Sequence, residues 1–493
     1  MRTAHVEDIY DSRFIVPLPK NLQLGQLCTA DTAVAPRKNL LAMLFPALVF
    51  TLSLFAAPAQ ADGWKAGVAK RAITPQSPMW LSGYAGRDRP ADGTLTDLWA
   101  KCLVLQDAAG GRVALLTLDL IGIDRAIAVE VRRRLQEKHG LDAAHVAFCT
   151  SHTHTGPVIA GNLSTMYALD ETQQRLVEEY TVRLMDEMTA VVDDAMADVS
   201  PCALAWGSGT ADFAVNRRNN QEAKVPDLRA AGQLVGPVDH DVPVLRVSAA
   251  DGSLRAVAFG YACHSTVLAF FQWSGDYPGF AQLELEKSHP GAVALFWAGC
   301  GADQNPLPRR TVELAQEYGR RLAASVEQVL IGDMRPISGT ALASYEEVDL
   351  PFDTLPTREQ IALDAESSDR YVAARAKLLL QQIDGGTPLS PTYPYPVQLW
   401  QLGTGGPTWV TLGGEVVVDY SLRLKAELGA SLWVAGYAND VMAYIPSRRV
   451  LQEGGYEGGG AMVYYGLPTI WGPEVEEVIV RAVHRGAEAV MTP

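Results

Sequence analysis

Apolar positions along the chain fall into two kinds of run. Short, nearly continuous ones read as buried strands: Arg112–Asp119, His145–Thr150, Ala292–Trp297 and Leu432–Ala435. Longer stretches with three- and four-residue spacing read as helices. These are Ala126–His139, stopped by Gly140, then Glu171–Met196, Val312–Leu330, the long Thr357–Ile383, and Val416–Leu428. Val242–Val247 and Arg255–Gly260 pair through Asp251-Gly252, and Gln398–Leu402 and Trp409–Leu412 form a hairpin around Thr404-Gly-Gly-Pro407. Pro388–Pro396 reads as a loop. This alternation predicts an α/β fold of mixed β-sheets flanked by helices. No internal repeat or linker is visible, and residues 62–493 read as one domain.

The N-terminal stretch follows another pattern. Arg37-Lys38 precedes the apolar run 39–55, and Ala57-Pro-Ala-Gln-Ala61 supplies small residues for cleavage. This is the layout of a secretory signal, so the expectation is export to the periplasm or medium after cutting behind Ala61. The competing expectation is an N-terminal membrane anchor, because the run is nearly long enough to span a bilayer.

Composition narrows the function classes. The chain of 493 residues is 48% apolar and 20% charged, which is globular and not disordered. Its formal charge of −15 argues against nucleic acid, which wants a basic stripe. Six cysteines are too few for a disulfide scaffold at this length. Cys149, Cys263 and Cys300 adjoin apolar strands with no neighbouring base and read as inert buried thiols.

Chemistry gathers just past the strands. His145–Thr150 is followed by Ser151-His152-Thr-His154, Arg255–Gly260 by Tyr261-Ala-Cys-His264, and Ala292–Trp297 by a turn holding Asp303 and Asn305. Trp409–Leu412 is followed by Gly413-Gly414-Glu415, and Leu432–Ala435 by Tyr437-Ala-Asn439-Asp440 and Tyr444. Ligand sites of open α/β sheets lie at the carboxyl ends of strands. Taken singly, His152 and His154 suit a metal or a solvated loop, His264 a buried core histidine, and Glu415 a helix N-terminus. Taken together, two histidines and a carboxylate from different strand ends point to a zinc site with an open position for water.

These segments resemble the neutral/alkaline non-lysosomal ceramidase family, catalytic domain only. The resemblance is carried by Ser151–Pro157, Asn216-Arg217, Tyr261–His264, Ser274-Gly-Asp276-Tyr-Pro-Gly279-Phe-Ala281, Gly414-Glu415, Tyr444 and Tyr456-Glu-Gly458. It implies Zn2+ held by His152, His264, Glu415 and Tyr444, with His154, Arg217 and Tyr456 around a scissile amide carbonyl. It also implies Asp276 near the metal shell or the substrate amine. The implied activity is zinc-dependent hydrolysis of an N-acyl compound, ceramide or a ceramide-like lipid, with transient contact to a membrane surface. One departure matters. Where the family has a serine sometimes proposed as nucleophile, this chain has Asn305, so water activated by a metal is the mechanism left. An ester, lactone or sugar-amide hydrolase, or a binding protein on the same fold, would use the same residues. The oligomeric state is unassigned.

Overall fold

The computed structural model describes residues 63–491. The expected signal segment, residues 1–61, lies outside the described residues. The remainder belongs to one compact unit, and it contains an order that the sequence hides: the same arrangement of strands and helices occurs three times in succession.

The first occurrence is β1 (Lys65–Ala72), β2 (Trp99–Gln106), β3 (Arg112–Leu118), α1 (Arg125–His139), β4 (Val146–Thr150) and α2 (Glu171–Ala197). The second is β5 (Ser200–Thr210), β6 (Asp241–Ala249), β7 (Leu254–Tyr261), α3 (Asp276–Ser288), β8 (Val293–Ala298) and α4 (Val312–Ile331). The third opens with β9 (Arg335–Pro351) and carries an inserted helical pair, α5 (Arg358–Asp364) and α6 (Arg370–Asp384). It continues with β10 (Thr392–Thr404), β11 (Thr408–Leu412), α7 (Val418–Leu428), β12 (Trp433–Ala435) and α8 (Val475–Met491). In each unit the first three strands are antiparallel neighbours and the fourth lies parallel to the third. A parallel partner needs a crossover, and α1, α3 and α7 supply it. The last helix of each unit packs on that unit's first two strands.

The units join edge to edge into one twelve-stranded sheet, β5 pairing with β1 at Lys65↔Pro201 and Ala66↔Ser200 and with β9 from Arg335↔Trp206 to Ile337↔Leu204. Side chains alternate between two cores, as a two-residue repeat requires. Leu103, Leu115, Leu245, Leu295, Trp297, Trp400, Trp409 and Trp433 meet in a shared central core. The alternate positions Val104 and Leu116, Val244 and Phe259, and Leu399 and Val410 pack against their own unit's helices. Burial on both faces explains why these strands read as continuous apolar runs.

Two boundaries differ from expectation. Thr357–Ile383 is not one helix. Thr357 and Gln360 form a capping box for α5, and Asp369 Oδ1 accepts from the backbone N–H of Tyr371 and Val372 to start α6, so the Ser-Ser-Asp stretch breaks the run. The Pro-rich segment reaches into β10. Pro394 and Pro396 are tolerated there because pairing with β11 begins only at Val397. Among the described residues, no helix is long and apolar enough to cross a membrane.

Candidate metal centre and active site

The threefold order places the chemistry. Three residues past the third strand of each unit stand Ile121, His264 and Glu415, and two residues past the fourth stand His152, Cys300 and Tyr437. His152 and Tyr437 share a left-handed backbone, φ 56° and 52°, and their rings lie 4.2 Å apart. Gly414 precedes Glu415 at φ 74°, where a Cβ would come within 2.7 Å of the Ala443 carbonyl, so only glycine lets the carboxylate turn inward. The Glu415 backbone N–H donates to Ala443, and the short parallel pairing Glu415↔Tyr444 sets those two side chains beside each other.

All of these groups are buried. Glu415 Oε2 lies 3.1 Å from Nε2 of both His152 and His264 and has no hydrogen-bond partner. His152 Nδ1 donates to the Ile121 carbonyl at 2.6 Å and His264 Nδ1 to the Gly301 carbonyl at 2.8 Å. Those bonds commit the ring protons, so both Nε2 lone pairs aim at an oxygen that also has only lone pairs to offer. The electrostatics agree. Burial, with help from the Arg217 charge, pushes the His264 imidazole down to about 4. Burial alone would raise the Glu415 carboxyl, yet the facing His152 and His264 hold it well below the ordinary range. The donor set therefore fits a divalent metal. Ring nitrogens of His152, His154 and His264 all lie within 4.8 Å of one another. The Tyr444 hydroxyl is 3.3 Å from His264 Nε2.

Residues 64–348 match the family model described as neutral/alkaline non-lysosomal ceramidase, N-terminal. The chain belongs to this ceramidase family. It is similar to the neutral ceramidase of Pseudomonas aeruginosa, 24% identical over 500 aligned residues that span 86% of this chain and 73% of that protein. It is also similar to the neutral ceramidase of Drosophila pseudoobscura pseudoobscura, 32% identical over 255 residues, 49% of this chain and 35% of that one. The crystal structure of the Pseudomonas aeruginosa neutral ceramidase superposes with a TM-score of 0.67 at 21% identity, over 86% of this chain and 74% of that one. A ceramidase complexed with C2 gives 0.65 at 20%. The mixed sheet flanked by helices is thus the ceramidase fold.

Around the candidate metal centre, Arg217 and not Arg218 points inward. Arg217 Nη2 donates to the Tyr444 hydroxyl at 3.1 Å, Nη1 to Asn305 Oδ1 at 3.3 Å and Nε to Glu457 Oε1 at 2.7 Å. Burial opposes its charge, but Tyr444 and Glu457 hold its pKa well above the ordinary value. Arg218 turns to Glu457 Oε2 and Glu453 instead. His154 brings Nε2 to 3.2 Å from His152 Nε2, while its buried Nδ1 has no partner. Burial, then His152 and His264, drives the His154 pKa well below 6.5. Tyr456 is 44% exposed, its ring 5.2 Å from that of Tyr444 and 5.7 Å from the Arg217 guanidinium.

Asp276 is fully buried and accepts from the backbone N–H of Leu268 at 2.8 Å and of Tyr277 at 2.6 Å, so it shapes the loop that follows His264. Burial pushes the thiols of Cys149, Cys263 and Cys300 up, which leaves them inert. Sequence reasoning missed Tyr437, Glu457 and Tyr465. Tyr437 stood in the strand-end segment Tyr437-Ala-Asn439-Asp440 and Glu457 inside Tyr456-Glu-Gly458, so both had a signal; Tyr465 lies in an apolar stretch and had none.

Proposed function

We propose that this ceramidase-family chain is a zinc-dependent amide hydrolase acting on an N-acyl lipid of the ceramide type. The observation that carries the reading is the set of three proton-free lone pairs, from His152, His264 and Glu415, converging with Tyr444 beside the Arg217 guanidinium. A zinc ion bound there supplies Lewis acidity, polarising the carbonyl and lowering the pKa of water. The chain's own residues do the rest. Arg217, fixed by Glu457, and the Tyr456 hydroxyl donate to the carbonyl oxygen as negative charge develops on it. His154 is the proton carrier, taking a proton at a free ring nitrogen and returning it to the leaving amine. It is distinguished from the ligands by its unanchored ring, since both ligand histidines are pinned by a backbone carbonyl.

A file of aromatic rings favours an amphiphilic substrate. Tyr444, Tyr456, Tyr464 and Tyr371 follow one another at 5.2, 6.3 and 4.9 Å from the metal centre out to α6. A lipid amide set at Tyr444 can run its chain along those rings, which implies transient contact with a membrane surface. The reading includes export, with the chain cut behind Ala61 and residues 1–61 absent from the mature protein.

The test is hydrolysis of short- and long-chain N-acylsphingosines, matched esters and an N-acyl sugar, with and without chelator, alongside metal analysis. Chelator-sensitive amide cleavage with one zinc per chain is expected. Activity confined to esters refutes the amidase assignment, and protein that binds no metal refutes the mechanism. Secreted protein beginning at Asp62 supports export, whereas retention in the membrane with residues 39–55 intact overturns it.

A further inference from the structure

The two oxygens of Glu415 stand in different surroundings. Oε2 faces the two histidine Nε2 atoms and has no hydrogen-bond partner. Oε1 accepts from the Tyr465 hydroxyl. Tyr465 is buried and ends the tight helical turn Gly460–Tyr465, on the segment that also carries Tyr456 and Glu457. That turn is itself held in place, since Gly460 N–H donates to Gly455 and Ala461 N–H to Tyr456. Trp471 Nε1 donates to the Tyr444 carbonyl just beyond.

A glutamate's terminal torsion is broad, so an unrestrained carboxylate can turn either oxygen, or both, toward a cation. His152 and His264 avoid the matching ambiguity because a backbone carbonyl takes the second nitrogen of each. For Glu415 no backbone group does so, and the partner is a side chain. We propose that Tyr465 is a positioning residue: its hydroxyl occupies Oε1, so that Glu415 offers Oε2 alone to the metal. This rests on the metal reading above. Were a metal bound, one-oxygen coordination by Glu415 would leave it room for water or substrate.

The experiment measures zinc affinity by competition with a chromophoric chelator and records the visible spectrum of the cobalt(II)-substituted protein, using the full chain. Outer-shell partners of metal ligands are worth about 10- to 100-fold in affinity, and Tyr465→Phe is expected to lose that much. Its cobalt bands are expected to weaken as the freed carboxylate raises the coordination number. Tyr464→Phe, one residue away and without a bond to Glu415, is expected to keep parental affinity. A parent chain that binds no zinc overturns the metal reading itself. A parent that binds zinc while Tyr465→Phe matches it in affinity and spectrum overturns this proposal alone. Should the phenylalanine variant fail to fold by circular dichroism, 3-fluorotyrosine at position 465 keeps the shape and alters the donor. An unchanged affinity and spectrum there overturn the proposal equally.

Discussion

The loops after β3 and β7 are the same place in two copies of one topology, and they do opposite jobs. Three residues past β7, His264 turns its ring into the candidate metal centre; three residues past β3, Ile121 turns an apolar side chain into a core and contributes its carbonyl to His152. The third copy puts Glu415 there. The loops after the fourth strands differ in the same way, with His152 a candidate ligand, Tyr437 its ring support, and Cys300 an inert filler. The scaffold thus brings six equivalent positions toward one region, and side-chain identity decides which become ligands. Function lives in the residues set on the fold, not in the fold.

Breaking the comparison at its strongest point gives the largest effect. His264→Ala is expected to lose both zinc and activity, read by metal analysis and turnover. Retained zinc would mean that His154, with a ring nitrogen within reach, is the true ligand. Next, Arg217→Ala is expected to keep its zinc while kcat falls about 10²- to 10³-fold, the usual cost of one donor to a developing oxyanion.

The aspartates five residues past β8 and β12, Asp303 and Asp440, sharpen the contrast further. Burial pushes Asp303 up to about 6 and Asp440 to about 7. Asp303 has both oxygens bonded, to Val418 N–H and Asn216, whereas Asp440 has Tyr393 on one and nothing on the other. The folded chain therefore holds a proton on Asp440 up to about pH 7 that the unfolded chain releases from an ordinary value of 3.8, so this group's contribution to stability falls between those limits and levels off above them. Asp440→Asn is expected to flatten that fall and to be more stable than the parent at pH 8 by urea midpoint. Asp303→Asn, with an N–H-accepting oxygen removed, is expected to be less stable at both pH 5 and pH 8. The smallest effect belongs to Ile121→Val. It is expected to cost about 0.5–1.5 kcal/mol of stability with zinc affinity unchanged, because that position serves the site through its backbone.

Much of this was legible before the structure because strand ends are legible. Strands buried on both faces read as apolar runs, and the polar residues that follow them are conspicuous. His152, His264, Glu415, Tyr444 and Arg217 meet as expected. β1, β5 and β9 were not read, since charged residues and glycines interrupt them and their half-exposed pattern resembles loop; β2 is buried along its length, and only Lys101 interrupts its apolar run. The threefold repetition left no trace in the sequence, because strand pairing needs only alternation and size, which many sequences supply. Tyr465 was invisible for a related reason. A tyrosine among Ala, Met and Val reads as core until one sees where its hydroxyl points.

The joins between the three units are slight, a two-residue pairing of β1 with β5 and a three-residue pairing of β5 with β9, supplemented by the central tryptophan core. His152 comes from the first unit, His264 from the second, and Glu415 and Tyr444 from the third. A metal at that point is therefore also a rivet. Bound there it would link residues of all three units and add about 2.7 kcal/mol of stability at a hundredfold excess over its dissociation constant. Chelation should accordingly lower the midpoint of the melt.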